Sequence, residues 1–129
     1  MGKEPRLTMF DTISLGEFIR LLKTCKKDAW IRFDFCYFAP DYLHSYRGWY
    51  EHLAFSCGRT WQSTLAKDVL IECEQAIGRT YRGYKGGDYV MDENTPLWVD
   101  ESENASGTAI VNIKDLDYEV VIETKFVET

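Results

Sequence analysis

Ser14-Leu15-Gly16-Glu17-Phe18-Ile19-Arg20-Leu21-Leu22 leads through Lys26-Lys27-Asp28 into Ala29-Trp30-Ile31-Arg32-Phe33-Asp34-Phe35-Cys36, and the apolar period changes on the way. Leu15, Phe18, Ile19, Leu22 and Cys25 recur every three or four positions, as one stripe of an α-helix does. Ser14 with Glu17 three residues on is a capping box, so the helix opens at Ser14 and is expected to end near Thr24. From residue 29 the period is two. Ile31, Phe33 and Phe35 share one face and Trp30, Arg32 and Asp34 the other, the pattern of a half-buried strand.

The same two periods organise the rest of the chain. Residues 37–45 contain Ala39-Pro40-Asp41 and read as an aromatic-rich loop, followed by a strand over 49–56. A second helix is expected over about 64–77, with Leu65, Val69, Cys73, Ala76 and Ile77 inward and Gly78 as its stop. Residues 80–85 and 88–92 read as strands joined by Gly86-Gly87, a two-residue hairpin signal. Asn94-Thr95-Pro96 is a turn before the short strand Leu97-Trp98-Val99. Residues 107–113 and 117–127 form two long strands around a turn at 114–117. The expected architecture is one α+β domain over 1–129, a mostly antiparallel sheet of about six strands with two helices on one face. Residues 1–13 read as an N-terminal arm and 100–106 as a mobile polar loop.

A chain of 129 residues holds one domain and one core. Tyrosine (8) outnumbers phenylalanine (7), with 4 tryptophans besides. A Tyr hydroxyl wants a partner or water, so rings lining a surface groove are expected. Cys25, Cys36, Cys57 and Cys73 form no Cys-x-x-Cys pair and read as free buried thiols in a reducing cytosol. No signal peptide and no apolar run near 18 residues is present, so a cytoplasmic protein is expected. Arg6 stands where the myristoylation pattern needs Ser or Thr. Residues 1–87 carry 13 basic and 10 acidic side chains, residues 88–129 carry 2 and 11. Phosphate contacts dominate nucleic-acid affinity, so the acidic part argues against general nucleic-acid binding. A basic patch on an acidic body still suits a small anion.

Tyr46-Arg47-Gly48-Trp49 returns 35 residues later as Tyr81-Arg82-Gly83-Tyr84. Rings stack, a guanidinium offers a planar fork of donors, and glycine lets a ligand reach the main chain. In the functional reading Arg47, Arg82 and Lys85 meet phosphate or carboxylate oxygens. Tyr46, Trp49, Tyr50, Tyr84 and Tyr89 then stack on or flank a base, and His52 or Thr108 adds a directional hydrogen bond. In the structural reading Gly48 and Gly83 mark bulges, the tyrosines pair across strands and the arginines are solvated. Lys85-Gly86-Gly87 is either a type I′ turn or a glycine-rich anion cradle. It is not a P-loop, because Gly-Lys-Ser/Thr is missing and no helix follows.

His44 and His52 flank the first motif without an assembled nucleophile and orienting carboxylate. Neither makes close metal-ligand spacing with Cys36 or Cys57. Asp100, Glu101 and Glu103 lack the spaced pattern of a calcium loop. A non-enzymatic protein without metal or cofactor is expected. Trp98 reads as core and Thr108 as an outward strand residue.

Ser45-Tyr46-Arg47-Gly48-Trp49-Tyr50, Gly83-Tyr84-Lys85-Gly86-Gly87-Asp88-Tyr89 and Thr95-Pro96-Leu97-Trp98-Val99 together resemble a group of small tailed-bacteriophage proteins, over about residues 14–113. The resemblance implies expression in a bacterial cytoplasm during infection and a role against host defences. Joined to the motifs, it gives the expectation of a binding protein that sequesters a nucleotide-like anion, such as a cyclic nucleotide or an ADP-ribose-type immune signal. The alternative is an acidic inhibitor of a host defence protein, anti-CRISPR-like or a nucleic-acid mimic, working through Asp117, Glu119 and Glu123. Strand edges and aromatic surface make a homo-oligomer an expectation as well.

Overall fold

The structure is a computed structural model that describes residues 11–47, 49–83, 85–100 and 107–127. The elements in chain order are α1 (Leu15–Leu22), β1 (Trp30–Phe33), β2 (Ala39–Tyr46), β3 (Trp49–Arg59), α2 (Ala66–Ala76), β4 (Thr80–Arg82), β5 (Asp88–Val90), β6 (Leu97–Asp100), β7 (Thr108–Asp115) and β8 (Glu119–Phe126). Six strands form one sheet in the order β1-β8-β7-β6-β3-β2, and β4 with β5 forms a separate hairpin. The α+β class holds. The sheet is mixed, since β1 runs parallel to β8 and β3 parallel to β6, with the other pairings antiparallel.

Helix α1 starts where its cap predicts: Glu17 N donates to Ser14 Oγ at 3.2 Å. It ends at Leu22, two residues before the expected Thr24. Helix α2 stops before Gly78, whose φ of +77° suits a residue without Cβ. The segment 37–45, read as a loop, is largely strand β2. Pro40 misled that reading. It sits in an edge strand, where a missing N–H costs no ladder bond. Residues 1–10 of the expected arm and 101–106 of the expected loop lie outside the described residues; Thr12 and Ile13, at the arm's end, are fully buried, and Asp100, expected in the mobile loop, is buried at the end of β6.

Strand alternation sorts two apolar layers. Ile31, Phe33, Leu43, Leu53, Phe55, Leu97, Val99, Ile110, Val120 and Ile122 join the inward residues of α1 and α2 in the main core. Tyr46, Ala54, Trp98 and Ala109 form a second, smaller one. No helix among the described residues is long and apolar enough to cross a membrane.

The start of α1 is clamped by main-chain bonds. Ile13 N donates to Ile110 O (2.6 Å), Leu15 N to Thr95 O (2.8 Å) and Gly16 N to Glu93 O (2.8 Å). A Cβ on Gly16 would stand 2.9 Å from Glu93 Cβ and 3.0 Å from its carbonyl oxygen. An open helical glycine gains roughly 0.5–1 kcal/mol on becoming alanine. Here the added methyl must displace backbone, so Gly16→Ala is expected to destabilise by about 1–3 kcal/mol in chemical denaturation. A stabilised variant would contradict the close packing.

Candidate functional site

The second Tyr-Arg-Gly motif meets Tyr50, the residue that follows the first. The first spans the β2–β3 turn and the second runs off the end of β4. The meeting point is Gly83, where a Cβ would lie 2.9 Å from the Tyr89 ring and 3.3 Å from the Tyr50 ring. Those rings approach each other at 6.1 Å between centroids, tilted by 30°. Gly83 therefore works by close approach rather than as a bulge, and its backbone conformation is ordinary. Tyr50 is carried outward by an irregularity in β3: Tyr46 pairs with Trp49 while Ser45 pairs with Leu53. Ser45 Oγ donates to Tyr50 O at 2.6 Å across it.

The hairpin loop is longer than its two glycines suggest. Arg82 faces Asp88 across the strands. Gly83 N donates to Gly87 O and Gly86 N to Gly83 O, both at 3.0 Å. Gly86 (φ +92°) and Gly87 (φ +87°) take left-handed conformations that L side chains resist. The Gly86 amide is thus committed inside the turn, which weighs against a cradle of consecutive amides. Arg82 and Lys85 are exposed beside this loop. Tyr84 and Gly48 lie outside the described residues.

The leading tyrosine of each motif is a packing residue. Tyr81 is buried. Tyr46, only 1% exposed, stacks on Trp98 at 4.9 Å and 9°, and its hydroxyl accepts from Gly107 N at 2.9 Å. It is therefore no platform for a ligand ring. Trp98 is core, as expected, and the register explains how: it pairs with Ala54 on one side and Ala109 on the other. Small neighbours leave room for the indole to lie flat. Thr108 is buried at the start of β7, not turned outward.

His52 completes this layer. Trp98 Nε1 donates to His52 Nδ1 at 3.0 Å, and the two rings are 9° from parallel with centroids 6.2 Å apart. A bond that short at that centroid spacing places the rings edge to edge rather than face to face. Trp49, 38% exposed, covers His52 at 5.7 Å and 12°. Indole N–H can only donate, so the neutral imidazole carries its proton on Nε2. Burial first pushes the His52 pKa below its ordinary value, with Glu51 pulling the other way. His44 sits on β2, its Nε2 3.5 Å from Asp100 Oδ2.

Three carboxylates of the acidic C-terminal half, expected to form an interaction surface, have partners within the fold. Asp117 meets Lys26 at 2.9 Å, Glu119 meets Arg32 at 3.1 Å and Glu123 accepts from Asn112 Nδ2 at 2.9 Å. Among the described residues no three His, Cys, Asp or Glu side chains converge on a metal position.

Sequence reasoning missed two features. An acidic cleft of about 290 Å³ is lined by Asp41, Tyr42, Ser63, Thr64, Asp68, Val69 and Glu72. Glu72 in it accepts from Leu43 N at 2.8 Å, so it stands in for a strand neighbour on the β2 edge. Phe35, Tyr37, Phe38 and Trp61 are all exposed, with Tyr37 and Trp61 5.7 Å apart and Arg32 over the Tyr37 ring at 5.1 Å. The run of aromatics over 35–38 was the available signal. Comparison with protein-family models, with curated proteins and with solved structures gave no match.

A depressed histidine pKa fixes the sign of a pH effect. The unfolded chain binds a proton near pH 6.5 while folded His52 resists it, so stability is full above that pH and falls as pH drops below it. Melting temperatures between pH 7.5 and 5 are expected to fall less steeply for His52→Asn, whose side-chain oxygen can still accept from Trp98. Superimposable profiles would contradict this role for His52.

Proposed function

We propose that this chain is a non-enzymatic binding protein that captures a flat, nucleotide-like anion at the seam between its two Tyr-Arg-Gly turns. The supporting observation is the contact of Tyr50 with Gly83 and Tyr89, which makes one surface of two segments far apart in sequence. Arg82 and Lys85 stand exposed beside it, and Trp49 offers an uncovered part of its ring. Arg47 belongs to the turn that carries Trp49 and Tyr50. Cations then take phosphate oxygens and the rings take a base, each stacked base contributing roughly 1–3 kcal/mol. Tyr46, His52 and Thr108 are buried and take no direct part in holding the ligand. The resemblance to phage proteins supplies the setting: a bacterial cytoplasm, where such a protein would sequester an immune signal such as a cyclic nucleotide or an ADP-ribose derivative.

A protein partner is the second reading, favoured by the exposed rings of Phe35, Tyr37, Phe38 and Trp61. The acidic-mimic version of it draws less support, because Asp117, Glu119 and Glu123 already have partners inside the fold.

Calorimetric titration with cyclic dinucleotides, cyclic oligonucleotides and ADP-ribose is expected to give saturable heat with at least one. Arg82→Ala combined with Lys85→Ala should weaken it at least about tenfold, since a charge-assisted hydrogen bond contributes roughly 1.5–3 kcal/mol. No heat with any of the three classes would contradict the proposal.

A further inference from the structure

The four cysteines divide into two chemically different pairs. Cys25 and Cys73 are buried in the main core, and burial, reinforced by nearby carboxylates (Asp115 for Cys25, Glu72 and Glu74 for Cys73), pushes both thiols up. They stay protonated and shielded from solution reagents. Cys36 and Cys57, expected to be buried, are only half-buried, and their sulfurs stand 4.0 Å apart although 21 positions separate them in sequence. A disulfide needs about 2.05 Å between sulfurs, so closing the pair takes a movement of roughly 2 Å.

The local backbone is suited to supply that movement. Cys36 lies in the irregular segment between β1 and β2, past the point where Asp34 N donates to Ile122 O at 3.0 Å. Cys57 lies on β3 opposite Pro40, and the β2–β3 register shifts on both sides of that pair. Those shifts interrupt the regular ladder beside the thiols. We infer that Cys36 and Cys57 form a thiol–disulfide exchange site whose co-substrate is a small-molecule disulfide of the glutathione type.

The exchange runs in two balanced steps. One thiolate of the pair attacks a sulfur of oxidised glutathione, forming a mixed disulfide and expelling one glutathione thiolate. The second thiolate then attacks the protein sulfur of that mixed disulfide and expels the other. The protein loses two electrons and its two thiol protons, and one oxidised glutathione becomes two reduced molecules. The product ties the segment carrying exposed Phe35, Tyr37 and Phe38 to β3, so the redox state sets how firmly that ring surface is held.

The test equilibrates the full chain with graded mixtures of reduced and oxidised glutathione, traps thiols by alkylation and reads intact mass with peptide mapping. The expected result is a loss of two hydrogens, a bridge mapped to Cys36 and Cys57, and a rise in melting temperature that dithiothreitol reverses. Cys36→Ser and Cys57→Ser should each accumulate a single glutathione adduct instead, while the double variant Cys25→Ser, Cys73→Ser should close as the parent does. A bridge mapped to Cys25 or Cys73, or a parent that stops at glutathione adducts or stays fully reduced in the most oxidising mixture, would overturn the inference.

Discussion

The missing side chain at Gly83 is the constraint on which the proposed binding surface depends. The β4–β5 hairpin forms its own small sheet and shares no ladder with the six-stranded one. Its base is fixed by main-chain bonds, Gly78 N to Met91 O at 2.7 Å and Met91 N to Arg79 O at 3.0 Å. Its tip is fixed by the Tyr89 and Tyr50 rings closing over Gly83 at distances that leave no room for a methyl group. Side chains rather than backbone bonds therefore set where Arg82 and Lys85 stand relative to Trp49.

The smaller apolar layer is separate from the main core that the hairpin's Tyr81, Tyr89 and Met91 join. Trp98 lies flat between Ala54 and Ala109, Tyr46 stacks on it, and His52 extends the plane through a hydrogen bond. These rings form an apolar layer apart from the main core that α1 and α2 join. Trp49 and Tyr50 are consecutive, yet the first packs onto this layer through His52 and the second reaches the hairpin. The β3 irregularity decides which ring does which, because regular alternation would put Tyr50 rather than Trp49 on the face of His52 and Ala54.

Local chemistry was the legible part of the chain. The Ser14 cap, the stripe of α1, the period-two run of β1 and the Gly78 stop all declare themselves within a few residues. Strand β2 did not, because proline at an edge and proline in a turn look alike in sequence. The parallel pairings of β1 with β8 and β3 with β6 join distant segments and have no local signature. The motifs were visible as repeats, but which ring of each faces solvent was not. Tyr46 and Tyr50 offer the same chemistry on paper, and only the register of β3 separates a packing ring from a surface one. Charge asymmetry was legible in the same way, but not that Lys26 and Arg32 stand beside Asp117 and Glu119.

Proton NMR of isotope-labelled protein tests the seam most directly. The account predicts nuclear Overhauser contacts between the Tyr50 and Tyr89 rings, and from both to the Gly83 α-protons, with those protons shifted by the ring currents. Absent contacts and random-coil shifts at Gly83 would mean that the hairpin stands apart from the first motif, and the shared binding surface would not exist.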